Sequence, residues 1–235
     1  IQHLTAFYNV GEHNNILLEG ADWNDGLDMA RTRGESVAFS ALYAGNLNTL
    51  ADLCLALIET GISDVTLANE ISTLLTEVDF DSIEQKRQCL QDYFEQVRHT
   101  VTGVKSRFSL ADLAINLRQK ANWLASHIRK QEWVKESDDL GWFNGYYDND
   151  GQPVEQVSPA GARMTLTGQV FTLMCGIASE AQSRQIAAAA DRYLYSPSLR
   201  GYRLNTDFGE VRLNLGRAFG FAYGHKENGA MFSHM

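Results

Sequence analysis

From about Glu35 to Glu59, apolar residues recur at helical spacing: Val37, Leu42, Leu47, Leu50, Leu53, Leu57 and Ile58, with Gly61 beyond the end. This pattern predicts a long helix. A second helix is expected over about Val65 to Glu77. A third starts where Asp81 or Ser82 can cap and Glu84 and Gln85 can reach back, and it runs to about Thr100. The fourth has the clearest signal. Ser109 caps it, Asp112 follows three residues on, and Leu110, Leu113, Leu117, Ala121 and Leu124 form one apolar stripe. The texture then changes. Trp142 to Tyr147 is aromatic and strand-like, and Asp148-Asn149-Asp150-Gly151 is a hairpin-type turn. Two more helices are expected over Thr165 to Ala178 and Ser179 to Leu194, the latter with a Ser179 to Gln182 capping box.

The flanks of this helical series read differently. Residues 1 to 34 are rich in Gly, Asn and Asp, and the stretch from Ser196 onward is Gly-rich and loop-like. The expected fold is therefore mainly α, with a short β-hairpin and long decorated loops of the kind that carry function. Helical hairpins whose loops converge on one end suggest an α/α toroid, although periodicity alone does not separate that from another helical array. About six helices are legible, roughly half of a closed double ring. The chain stops at Met235 within Gly229-Ala230-Met231-Phe232-Ser233-His234, without a cap or polar tail. The expectation is a segment, residues 1–235, of one domain of a longer protein, and one that alone is marginal, inactive or dependent on another chain to complete its ring.

Composition narrows the partners. The 235 residues are 44% hydrophobic, enough for a sizeable core, and the net charge is −9. An acidic surface repels nucleic acid and anionic lipid, and says nothing against a neutral sugar. No unbroken run of about 18 apolar residues suggests a membrane span, and the first residues do not resemble a signal peptide. Cys54, Cys89 and Cys175 each lie in an apolar helix-like stretch without CxxC spacing, so buried reduced thiols are expected. A cytoplasmic location follows from them. His3, His13, His99 and His127 are scattered without metal-ligand spacing. Asp148-Asn149-Asp150-Gly151 lacks the downstream bidentate Glu of a calcium loop, so no metal is expected there.

Two segments concentrate chemistry. In Gly20-Ala21-Asp22-Trp23-Asn24-Asp25-Gly26, two carboxylates flank an indole and an amide between glycines. An indole can stack on a pyranose face, and a carboxylic acid beside it can protonate a glycosidic oxygen. The same residues could instead form a tight turn in which Asp and Asn satisfy backbone amides, although turns rarely need Trp. In Lys226-Glu227-Asn228-Gly229-Ala230-Met231-Phe232-Ser233-His234, a carboxylate, an amide and an imidazole share a Gly-rich loop suited to an anion such as phosphate. There the plainer alternative is a loop leading into a helix, with Glu and Asn as caps.

Taken together, GADWNDG near the start and HKENGAMFSH near the end resemble the paired active-site motifs of glycoside hydrolase family 94 phosphorylases. That family includes cellobiose, chitobiose and β-1,2-oligoglucan phosphorylases and the phosphorylase-like part of cyclic β-1,2-glucan synthases. Arg33-Gly34-Glu35-Ser36-Val37 resembles the RGES stretch of the glucan synthases and oligoglucan enzymes, and Gly141 to Asp148 resembles a family aromatic segment. The resemblance is weakest over about residues 62 to 108, where this chain carries sequence beyond the shorter members. It implies that residues 1–235 belong to one catalytic (α/α)6 domain. It also implies that Asp25 is the general acid, Trp23 the stacking platform, Glu227 a sugar ligand at the reacting subsite and His234 a phosphate ligand. Asp22 and Asn24 shape or support the loop. Family arginines upstream of the DWND motif, and a Thr and Gly after the last histidine, are absent, so the site is incomplete as written.

The implied reaction is inverting phosphorolysis. Phosphate attacks the anomeric carbon of a β-linked gluco-oligosaccharide, and the product is α-glucose 1-phosphate. Phosphate is a co-substrate, no metal or organic cofactor is required, and a homodimer is expected of the full-length protein. The RGES stretch and the extra segment lean toward β-1,2-oligoglucans. Two other classes compete: an inverting α/α-toroid hydrolase with Glu227 as its second carboxylate, and a helical sugar-binding module without catalysis.

Overall fold

The computed structural model describes residues 1–23, 27, 28 and 30–231. In chain order it contains α1 (Gln2–Tyr8), β1 (Ile16–Leu17), β2 (Glu35–Ser36), α2 (Val37–Glu59), β3 (Asp64–Ala68), α3 (Ile71–Leu74), α4 (Ile83–Val97), β4 (Lys105–Ser109) and α5 (Leu110–Gln131). There follow β5 (Trp133–Lys135), β6 (Gly141–Phe143), β7 (Tyr146–Tyr147), β8 (Gln156–Ser158), β9 (Gly161–Arg163), α6 (Leu166–Met174), α7 (Glu180–Tyr193), β10 (Tyr195–Ser196), β11 (Gly201–Tyr202) and a 3-10 turn over Arg217–Gly220. The architecture is mixed rather than mainly α: small antiparallel sheets interleave with the helices. The chain divides into two compact units, one of residues 1–16 and 43–125, the other of 17–42 and 126–235.

In the first unit, β3 pairs antiparallel with β4 from Asp64↔Ser109 to Ala68↔Lys105. A helix was expected over Val65 to Glu77. Only α3 is helical there, because Val65 and Thr66 are β-branched and the run Asp64–Ala68 finds a strand partner at Lys105–Ser109. The caps that flank α4 and α5 follow the sequence closely. Ser82 accepts a hydrogen bond from the Gln85 amide, and Ser109 accepts one from the Asp112 amide at 3.3 Å. Leu110, Leu113, Leu117, Ala121 and Leu124 of α5 are all buried, as their stripe predicts. Two lysines lie inside this unit among aromatic rings. The wholly buried Lys86 donates to Asn14 Oδ1 at 2.8 Å and sits 3.5 Å above the Trp123 ring. Lys120 donates to Asn116 Oδ1 at 2.5 Å, and burial holds both ammonium groups below the ordinary lysine range.

The buried stripe of α2 differs from the expected one. Val37, Ala38, Ala41, Ala44, Leu47 and Ala51 are buried, whereas Leu53 is largely exposed. The helix is apolar almost all round, so periodicity does not select the face. The small alanines win because they permit close approach. By length and composition α2 is long and apolar enough to cross a membrane, since Asn46, Asn48 and Asp52 interrupt but do not cancel its apolar character. In the fold, Asn48 and Asp52 both engage Arg118 of α5.

In the second unit, β2 pairs antiparallel with β7. β5 pairs with β6 and presents Trp142 to a cluster with Met164, Ala189, Ala190 and Leu194. The capping box at Ser179 and Gln182 is formed and starts α7. The expected turn after β7 is also present. Gly151 takes φ +73°, and Asp148 Oδ1 accepts the amides of Asp150 and Gln152 at 2.9 Å each. All three cysteines are free, but only Cys89 is buried; Cys54 and Cys175 are half-buried. Burial raises the thiol pKa of all three.

Candidate active site

Three of the sequence segments singled out above meet in the second unit. Glu35 and Ser36 of the RGES stretch form β2, which pairs with Tyr147 and Tyr146 of the aromatic segment. The Ser36 hydroxyl has two tasks. It accepts the Phe39 amide at 2.9 Å, capping α2, and donates to Asp22 Oδ2 at 2.6 Å. The Tyr146 hydroxyl donates to the other oxygen, Asp22 Oδ1, at 3.4 Å. Burial, reinforced by Asp22, raises the Tyr146 phenol well above its ordinary range, so it remains a proton donor. Asp22 is thus the anchor of the DWND loop, and Trp23 follows it half-buried. Asn24 and Asp25 lie outside the described residues, as does His234.

Backbone geometry supports this junction. The amides of Val37 and Ala38, which begin α2, both donate to the Gly145 carbonyl, at 2.9 and 3.2 Å. Gly34 has no room for a side chain: a Cβ there would stand 2.2 Å from the Ala30 carbonyl oxygen. Gly145 and Gly168 meet backbone to backbone, and a Cβ on Gly168 would lie 2.9 Å from the Gly145 Cα. The turn after β7 also reaches back, with Asn149 Oδ1 accepting from the amides of Thr32 and Arg33 at 2.9 and 3.0 Å.

Behind the aromatic segment lie buried carboxylates that carried no signal in the sequence. Glu132 accepts from Asn144 Nδ2 at 3.1 Å and from the Tyr147 hydroxyl at 2.9 Å. Glu155 accepts from the Gly145 amide at 2.9 Å and from the Thr165 hydroxyl. Burial pushes the Glu155 carboxyl up to about 7. The folded state therefore prefers the protonated acid relative to the unfolded chain. Its contribution to stability is fully present below the unfolded pKa of 4.5 and is lost as pH rises through about 7. Denaturation midpoints measured from pH 4.5 to 8 should fall by the equivalent of about 3 kcal/mol through this group. Glu155→Gln should flatten that slope while keeping the acceptor for the Gly145 amide.

The second motif forms a tight, cross-braced loop. Asn228 Nδ2 donates to the Phe221 carbonyl at 2.7 Å, and its Oδ1 accepts from Asn205 Nδ2 at 2.9 Å. Asn205 Oδ1 in turn accepts the Gly229 amide at 2.7 Å. Lys226 sits at φ +53° and Gly229 at φ +68°. Asn228 thus shapes the loop and leaves Glu227 beside it. Glu227 Oε2 is shielded from solvent and has no hydrogen-bond partner among the described residues. A buried carboxylate oxygen without a donor is costly and marks a place where a donor belongs.

Arg217 joins the two motifs, and no sequence pattern had pointed to it. Its amide donates to Asp28 Oδ1 at 3.1 Å and its Nη1 to Asp28 Oδ2 at 3.4 Å. Its Nε lies 3.9 Å from Glu227 Oε1. Asp28 stands three residues after Asp25, so a single guanidinium spans the end of the DWND loop and the KENG loop, some 200 residues apart in sequence. Among the described residues, no group of three or more His, Cys, Asp and Glu side chains is arranged to hold a metal.

This chain belongs to the Glycosyl hydrolase 94 superfamily, whose catalytic domain matches residues 109–235. That match contains the aromatic segment, the Arg217 turn and the KENG loop. Over nearly its whole length the chain is also similar to the solabiose phosphorylase of Paenibacillus borealis. The two are 25% identical over 228 residues, which cover 96% of this chain and 22% of the relative. The chain therefore spans about a fifth of that relative's length.

Proposed function

We propose that the protein carrying this chain is an inverting phosphorylase of β-linked gluco-oligosaccharides, with phosphate as co-substrate and Asp25 as general acid. The observation that carries this reading is the bridge from Asp28, three residues beyond the DWND motif, through Arg217 to Glu227 of the KENG loop. Family membership and the similarity to a solabiose phosphorylase support the reaction class.

In this reading Asp25 protonates the glycosidic oxygen as the bond breaks. Asp22, fixed by Ser36 and Tyr146, holds the loop in register. To act as the acid, Asp25 must be protonated at neutral pH, which negative charge beside it, from Asp22 and from phosphate, would favour. Trp23 stacks on the sugar beside the scissile bond. The unpartnered oxygen of Glu227 accepts from a sugar hydroxyl. His234 binds phosphate, and phosphate, already an anion, attacks the anomeric carbon without a second carboxylate to activate it. The product is α-glucose 1-phosphate. Helices of this chain would form part of an (α/α)6 toroid in a cytoplasmic, homodimeric enzyme that uses no metal or organic cofactor. The RGES stretch favours β-1,2-linked substrates.

The test runs the reaction in reverse. The intact protein, given α-glucose 1-phosphate and a panel of glucose and disaccharide acceptors, should release phosphate with at least one of them. No release with any acceptor would overturn the reading. His234→Ala should raise the apparent KM for phosphate at least about tenfold, the scale of a lost charge-assisted hydrogen bond, with little change for the sugar. Equal effects on both substrates would assign His234 a structural role.

A further inference from the structure

The first unit contains a trough of mixed polar and apolar lining that none of the motifs accounts for. One hollow, of about 500 Å³, is lined by Glu77, Phe80, Asn116, Gln119, Asn122 and Trp123. A second, of about 440 Å³, shares Glu77, Asn116 and Gln119 with the first and adds Arg107 and Phe108 among others. The two hollows lie side by side along α5 and share these walls. All of their residues belong to the first unit, whereas the DWND and KENG motif residues belong to the second.

The lining has two kinds of component. One is a braced floor. Trp123 Nε1 donates to Asp81 Oδ1 at 3.0 Å, and the ammonium of Lys86 packs on the ring at 3.5 Å. Lys86 is wholly buried, and Trp123, which meets Phe7 and Phe80 edge-on, is partly exposed and lines the first hollow. Asn116 is engaged, donating to the Leu75 carbonyl at 3.0 Å and accepting from Lys120. The other component is a set of uncommitted hydrogen-bonding side chains. Glu77, Arg107, Gln119 and Asn122 are exposed and make no hydrogen bond or ion pair among the described residues.

A rigid aromatic surface beside planar amides and a carboxylate suits a ligand with apolar ring faces and vicinal hydroxyls. Glu77 and Asp112 outnumber Arg107 along the trough, which disfavours an anion. We infer that this trough is a second saccharide-binding groove, which holds a β-linked gluco-oligosaccharide by hydrogen bonds from Glu77, Gln119 and Asn122 against the Trp123 indole. The choice of β-linked gluco-oligosaccharide rests on the reaction class proposed above; the groove itself does not.

The test uses the intact protein and the double variant Gln119→Ala/Asn122→Ala, whose exposed side chains make no bonds that the fold needs. Native affinity electrophoresis in gels containing a β-linked glucan should show retardation of the wild type. The double variant should need about tenfold more glucan for the same retardation, the scale of two lost hydrogen bonds. Its kinetics on a disaccharide should stay at the wild-type values. Equal retardation of the two proteins, or no retardation of either, would overturn the groove. So would a parallel loss of disaccharide turnover. If the wild type proves inactive as a phosphorylase yet loses glucan retention in the variant, the groove stands and the proposed reaction falls.

Discussion

Asp25→Asn in the intact protein should lower turnover by at least about a hundredfold, the scale of losing a general acid, and should change oligosaccharide binding far less. The amide matches the carboxyl in shape but has no proton to give to the glycosidic oxygen. The loop around it keeps its anchors, because Asp22 remains held by Ser36 and Tyr146, and Asp28 by Arg217. A substrate whose leaving group needs no protonation should recover much of the lost rate, since it bypasses the missing acid. A variant as active as the wild type, or one equally slow on both kinds of substrate, would remove Asp25 from that role.

The largest effect on stability is expected at Trp142→Ala. Trp142 is fully buried, its Nε1 donates to the Arg163 carbonyl at 3.0 Å, and its ring meets Tyr193 edge-on at 5.8 Å. Removing it opens a cavity against Met164, Ala189 and Leu194 and strands a carbonyl, which should cost about 3–5 kcal/mol. Trp142 lies two residues before Asn144 and three before Gly145, whose carbonyl receives the first amides of α2. The loss should therefore loosen β2, β7 and the Asp22 anchor along with the core. Chemical denaturation would read the stability change. Hydrogen exchange at Val37 and Ala38 should accelerate in step. Unchanged exchange there would show that the core and the site are decoupled.

Much of this was legible in the sequence wherever one local interaction decides the outcome. Ser82, Ser109 and Ser179 cap helices because a hydroxyl placed just before a helix finds an amide three residues on. The α5 stripe is buried because its outer face is strongly polar, which leaves one way to orient it. Where several outcomes lie close in energy, the sequence decided less. α2 is apolar around most of its circumference, so its leucines masked the alanines that are buried. Val65 to Ala68 could join a helix until a strand some 40 residues away offered pairing. In the candidate site, Asp22, Trp23 and Glu227 stood out because acids and an indole cluster locally. Tyr146 was visible only as part of an aromatic run, and Ser36 only as part of a motif. Glu132, Glu155 and Arg217 gave no sign, since each acquires its place through partners distant in sequence or through burial alone. An isolated charge has no periodicity to betray it.

The central claim is that phosphate, not water, is the nucleophile. Nuclear magnetic resonance of the intact protein mixed with a β-linked gluco-oligosaccharide, with and without inorganic phosphate, reads it directly. The account predicts α-glucose 1-phosphate as the first-formed product, appearing only when phosphate is present. Free glucose released at a rate indifferent to phosphate would contradict it.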